Sequence, residues 1–314
     1  MSGKKFAAVD EQDVARFTSY LDWSRVGRFG VGRYLLGTFV LMTLMFFVSP
    51  LLSSFIAVFS GADRTADALT TVMFTGISVV LAFFLVPLAV RWINKRPAFS
   101  VYAARFPGRV SDFLLGVVVV AVSVLVEQVV YWSVAPLHGN AFSVSAWLPV
   151  LVVAAVAFVF QTGTEELIFR GYLMQFARRV TGNAFVVVLA PALVFGLLHL
   201  GNLASSYGGS ILQIVPYVVM GFGFGWAAWR TGSLWMSFGM HWFNNFCLTT
   251  LIGSTGDVIP TVAPLVRDIS AIPLPMLIVS TCASVAVQIV GIELIVRRRR
   301  ARSLAEPEPE PVGA

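Results

Sequence analysis

The sequence predicts an all-α protein, a polytopic transmembrane bundle of about eight helices around an intramembrane polar cavity. Three observations lead there. The 314 residues are 57% hydrophobic and only 12% charged, with a mean hydropathy of +0.82, whereas a soluble domain is about 25% charged. Apolar runs of roughly 20 residues, the length of one bilayer crossing, recur along the chain. Ionisable side chains interrupt these runs in three short stretches, TEELIFRG (Thr164 to Gly171), FGLLHLGN (Phe195 to Asn202) and HWFNN (His241 to Asn245). A charged group at membrane depth costs about 3 kcal/mol, so it persists only where it faces a bundle interior or a watery cavity and finds a partner.

In chain order, the first span is expected over residues 34–59, the second over 69–90 and the third over 113–132. The fourth is long, starting near residue 146 and running through the Glu165 motif to about residue 179. The fifth covers 184–200, the sixth 211–229, the seventh 234–251 and the eighth 273–296. Basic residues in the connections set the orientation. The N-terminal segment carries Lys4, Lys5, Arg16, Arg25, Arg28 and Arg33, and the next connection only Arg64 beside Asp63. Arg91, Lys95, Arg96, Arg105 and Arg109 follow the second span, and the connection around His138 has no Lys or Arg. Arg178 and Arg179 follow the fourth span, residues 205–210 carry no basic residue, Arg230 follows the sixth span, Arg267 beside Asp268 the seventh, and Arg297 to Arg302 the eighth. Rich and poor segments alternate, which predicts an even number of spans and both termini in the cytoplasm of a multi-pass membrane protein. The net charge of +6 is accounted for by basic flanks at anionic lipid headgroups, and no nucleic-acid partner is needed.

The domain plan is a basic cytoplasmic arm over residues 1–32, a membrane domain over 33–297 with its motif core at 164–245, and a tail over 298–314 that is basic, then acidic and Pro-rich, and disordered. The start of the chain does not read as a cleavable signal, because about thirty mixed residues precede the first apolar run. Phe17, Tyr20, Leu21, Trp23 and Val26 fit either a short interfacial helix or a solvated arm. Cys247 and Cys282 lie in apolar spans and read as core residues.

The polar stretches carry the chemistry. Glu166 and Arg170 are one helical turn apart and can pair, which lowers the cost of burying both. Glu165 points about 100° away and is left to face a cavity as a general base or acid. The bland alternative is a motif at the interface, with snorkelling side chains. His199 stands where Gly201 and Asn202 end a helix; it is either structural or lines the cavity. His241 and Asn245 share a helix face, and their N–H groups suit either an oxyanion hole or a helix-to-helix hydrogen bond. Glu127, inside the third span, fits a pair with a site residue or with a neighbouring Arg, or a proton path. Glu293 is expected to pair with Arg297 near the cytoplasmic end. Gly221, Gly223 and Gly225 read as close helix packing. HExxH is absent, though Glu165, His199 and His241 are possible zinc ligands.

Glu165-Glu166-x-x-x-Arg170, Phe195-x-x-x-His199 and His241-x-x-x-Asn245 together resemble the CPBP family of intramembrane proteases, the CAAX-protease and bacteriocin-processing (Abi) family that includes type 2 CAAX prenyl endopeptidases. The resemblance implies an eight-helix core with a cavity open to membrane and cytoplasm, and peptide-bond hydrolysis near the membrane surface. It implies that Glu165 and His199 activate water, that His241 and Asn245 bind the oxyanion, and that Glu166 and Arg170 support the site. The expected partners are membrane lipid and a membrane-associated protein or peptide substrate, with a prenylated C-terminus as one substrate class, in a bacterial plasma membrane. Zinc and metal-free mechanisms both fit the resemblance; the missing HExxH, and Asn245 as a poor zinc ligand, favour the metal-free one. Two other readings stand beside it: a non-catalytic immunity or scaffold protein, and a proton-coupled transporter using Glu127, Glu165 and His199 as a relay.

Overall fold

The computed structural model of the chain describes residues 19–28, 30–61, 63, 67–104, 110–202, 207, 209–255 and 259–305. Lys4, Lys5, Arg16, Phe17, Arg64, Arg105, Arg109, part of the 205–210 connection and the acidic residues 306–314 lie outside them.

The apolar runs form helices because a backbone in hydrocarbon has to satisfy its own hydrogen bonds. In chain order these are α1 (Val31–Ser60), α2 (Ala68–Ile93), α3 (Val110–Tyr131), α4 (Val144–Val180), α5 (Ala184–Leu198), α6 (Ile214–Thr231), α7 (Trp235–Thr250) and α8 (Leu274–Ala305). Among the described residues seven helical segments are long and apolar enough to cross a membrane, and the chain is an integral, multi-pass membrane protein. The exception is α7, at 16 residues, and it is the one that carries His241 and Asn245.

α4 packs between α2 and α7, and α7 against α3 and α6. α8 closes the bundle against α6 and α3, and α5 lies along α6. The α3–α7 crossing is close because glycines sit on both sides of it. A Cβ at Gly239 would run into the backbone of Phe113, and one at Gly116 into the backbone of Met236 and Met240. The same packing logic holds for Gly221, Gly223 and Gly225 on α6, where added Cβ atoms would press on Phe195, Val285 and Val188.

Contacts between connections define two ends of the bundle. At one end the backbone of Tyr20 bonds Gly232, Leu234 bonds Tyr102, and Gln175 Nε2 donates to the carbonyls of Tyr20 and Ser100. At the other, β1 (His138–Gly139) pairs antiparallel with β3 (Leu265–Asp268), which pairs parallel with β2 (Ile252–Thr255). This small sheet is an addition to the all-α expectation, built by two connections, α3–α4 and α7–α8, that meet outside the spans.

Three expectations are corrected. Tyr20–Arg25 is a capped 3-10 turn with Tyr20, Leu21 and Trp23 buried in the bundle, so this part of the arm is packed rather than solvated. Its backbone is claimed by Gln175 and by Arg96, whose guanidinium donates to the carbonyl of Trp23. The basic run after the eighth span is helical, because α8 continues to Ala305 and Arg299 pairs with Asp112 of α3. Cys282 is exposed on the outside of the bundle, while Cys247 is buried; both are free thiols.

Candidate active site

α4 changes its winding at the first motif. It is an α-helix over Val144–Glu165, a π-helix over Glu166–Leu173 and α-helical again over Met174–Val180. π turns inside α-helices are rare and concentrate at functional sites. Here the wide turn packs among α5, α2 and α6 and is wholly buried: Glu165 is 7% exposed, Glu166 1% and Arg170 1%. The interface alternative for this motif is therefore set aside.

Glu166 and Arg170 form the ion pair their spacing requires, with Arg170 Nη1 2.8 Å from Glu166 Oε1. Arg170 Nη2 donates to the carbonyl of Gly221 on α6 at 3.2 Å. The guanidinium carbon lies 4.5 Å from the centroid of Phe195 and 5.3 Å from that of Phe224, positions that favour cation–π attraction. Tyr20 supports the same turn from the N-terminal arm by donating its hydroxyl to the Arg170 carbonyl at 2.8 Å. Burial first, and the Glu166 carboxylate second, push the Tyr20 hydroxyl well above its ordinary range, so it remains a donor.

His241 of α7 stands between the two glutamates. Its Nδ1 is 2.9 Å from Glu166 Oε1 and its Nε2 is 3.5 Å from Glu165 Oε2. The ring stacks on Phe224 at 4.8 Å. Glu165 Oε1 accepts from Gln161 Nε2 at 2.5 Å, while its buried Oε2 has no hydrogen bond. Asn245, one turn beyond His241, donates its Nδ2 to Gln161 Oε1 at 2.8 Å and accepts from Asn244 at 3.2 Å. His241 and Asn245 thus both reach α4, on the face their spacing implies.

His199 begins the 3-10 turn His199–Asn202 that ends α5. Its Nδ1 is 2.7 Å from the Phe195 carbonyl, and a carbonyl only accepts, so Nδ1 is the donor of this bond. The ring stacks on Tyr217 of α6 at 4.4 Å. Among the described residues no hydrogen bond or ion pair joins His199 to Glu165. The link between the two histidines runs through Phe195, whose ring lies 4.4 Å from His199 and 5.9 Å from His241.

Among the described residues no group of three His, Cys, Asp or Glu side chains is placed to hold a metal ion. Glu127 belongs elsewhere, with Ser284 and the charge of Arg267, and nothing among the described residues connects it to Glu165 or His199. Glu293 pairs with Arg230 at 2.5 Å and accepts from Trp226; a partner on α6 displaces the expected Arg297. Gln161, Tyr217 and Tyr20 are the site-lining residues that sequence reasoning missed. Of these only Gln161 left a signal, as a polar residue one turn before Glu165 in an otherwise apolar run.

Residues 145–247 match the family model of type II CAAX prenyl endopeptidases, Rce1-like. That stretch, about a third of the chain, holds all six motif residues and agrees with the resemblance read from them. The chain is also similar to the uncharacterized protein YyaK of Bacillus subtilis (strain 168), 29% identical over 187 residues. The alignment covers 58% of this chain and 62% of that protein, so it spans less than two thirds of the relative's length. No solved structure matches.

Proposed function

We propose that this protein is an intramembrane endopeptidase of the type II CAAX kind, which hydrolyses a peptide bond in a membrane-associated protein or peptide. The observation that carries the proposal is the buried convergence of Glu165, Glu166 and His241, within the stretch that matches the peptidase family. Glu165 Oε2 is the oxygen left to take a proton from water, because Gln161 occupies Oε1. In its neutral tautomer with the proton on Nδ1, His199 offers Nε2 as an acceptor that helps to hold that water. As the water oxygen adds to the scissile carbonyl, charge grows on the carbonyl oxygen.

Two groups meet that charge. His241 is assigned as the donor to Glu166 from Nδ1; donation to the developing oxyanion from Nε2 requires the imidazolium form, in which both ring nitrogens carry a proton. Asn245 keeps one amide N–H beyond the one given to Gln161. Collapse of the adduct moves the proton held by Glu165 to the leaving amine. Glu166 and Arg170 stay an ion pair throughout and position His241. The proposed substrates lie at the membrane surface, with prenylated C-terminal peptides as the class to test first.

The test is proteolysis by the purified chain in lipid or detergent. The substrates are a fluorogenic farnesylated CAAX-type peptide and its unprenylated copy. Glu165→Ala is expected to lower kcat by about 10²–10⁴-fold, and Asn245→Ala by about 10²–10³-fold, with both variants inserted and folded. Preference for the farnesylated copy would name the substrate class. No cleavage of either peptide, together with membrane proteomes unchanged between wild-type and Glu165→Ala cells, would defeat the peptidase reading and favour a non-catalytic role.

A further inference from the structure

Gln161 stands between the two halves of the site, and hydrogen-bond chemistry gives it a direction. An ionised carboxylate only accepts hydrogen bonds. Gln161 therefore presents its NH₂ to Glu165 Oε1, at 2.5 Å, and its carbonyl oxygen faces α7. The group that meets this oxygen must donate, so Asn245 turns its NH₂ toward Gln161, at 2.8 Å. The remaining Asn245 oxygen then accepts from Asn244 at 3.2 Å. Every amide in the run Asn244, Asn245, Gln161 is oriented by the negative charge at its end. The bond to the carboxylate is charge-assisted and polarises the bonds behind it.

We propose that Gln161 is a positioning residue that couples the charge on Glu165 to the donor orientation of Asn245. While Glu165 is ionised, the relay holds the Asn245 amide with its N–H groups toward α4, ready for an oxyanion. Gln161 also reserves Glu165 Oε1, so that Oε2 is the oxygen that takes the proton. Gln161 itself exchanges no proton and forms no bond with substrate. This inference rests on the peptidase reading for its catalytic consequence, but the coupling is a property of the folded chain.

The experiment compares wild type, Gln161→Ala, Gln161→Glu, Asn245→Ala and the Gln161→Ala/Asn245→Ala double variant of the full chain in lipid. Two readouts are taken on each, cleavage of the farnesylated peptide across pH and the apparent Tm. Gln161→Ala is expected to lower kcat by about tenfold to a hundredfold, the scale of one hydrogen bond to a charge, with KM unchanged. Gln161→Glu sets a second carboxylate against Glu165; the pair then shares a proton, and the acid limb of the pH–rate profile moves to higher pH. Adding Asn245→Ala to Gln161→Ala costs less than the sum of the single effects, in kcat and in Tm. Additive effects in both readouts, or a Gln161→Glu profile superimposed on wild type, would overturn the inference. If wild type cleaves nothing, the peptidase reading fails separately, and the Tm cycle still decides the coupling.

Discussion

Arg170 shows how much of this site is held by one side chain. Its guanidinium meets Glu166, the Gly221 carbonyl and the faces of Phe195 and Phe224, and it is 1% exposed. Arg170→Met keeps much of the volume but leaves the Glu166 carboxylate buried beside His241 and Ser237 without its cation. Removing one partner of a buried pair costs about 3–5 kcal/mol, whereas replacing both partners can be close to neutral. Arg170→Met is thus expected to unfold at markedly lower temperature, and Arg170→Met/Glu166→Gln to regain part of the loss. Thermal unfolding in detergent checks both, and a double variant no more stable than Arg170→Met would show that the lost carboxylate partner is not the cause. At this scale the spacing along one helix was legible: Glu166 with Arg170, and His241 with Asn245, are single-turn pairs. Gln161 with Asn245, Glu293 with Arg230 and Tyr20 with Arg170 were not, because each joins residues far apart in the chain. Only packing brings them together, and a local spacing rule does not see packing.

The helices themselves were legible, since each needs a long apolar run and hydrocarbon leaves the backbone few alternatives. Two features escaped. The π winding over Glu166–Leu173 leaves no mark in composition. The strands are two to four residues long and pair across long separations, as His138 does with Val266, too short for an alternating pattern. Position along the bundle matters as much as winding. α7 is brought against α3 at Gly239, where Phe113 leaves no space for a Cβ. Gly239→Val has to push α3 and α7 apart, carrying His241, half a turn further on, away from Glu165 and Glu166. Overpacking of this kind costs about 1–3 kcal/mol, so a lower Tm and a fall in kcat are expected together. A variant with wild-type Tm and cleavage would mean that the crossing yields without moving His241.

Across the whole molecule the connections sort by charge. The end joined by Tyr20, Tyr102, Gln175 and Gly232 carries Arg25, Arg28, Arg33, Lys95, Arg96, Arg178, Arg179 and Arg230 close to its contacts. The end capped by the small sheet has Arg267 as the basic residue of its strands, and that guanidinium turns inward over Tyr131. Eight consecutive helices return the chain to the end it started from, so Tyr20 and the last turn of α8 share one side. Positive charge is retained on the cytoplasmic face during insertion. The expected outcome is that reporters fused before residue 19 and after residue 305 both read as cytoplasmic, while a single cysteine at Ser254 in β2, in a chain without its native thiols, is labelled from outside by an impermeant reagent. The π turn lies close to the basic end, since Tyr20 reaches Arg170 and Gln175 reaches Ser100. This orientation would therefore put the candidate site within reach of substrates on the cytoplasmic leaflet. Reporters on opposite sides would require an odd number of crossings, which would remove one helix from the membrane. The helix to suspect then is α7, the shortest of the eight and the bearer of His241.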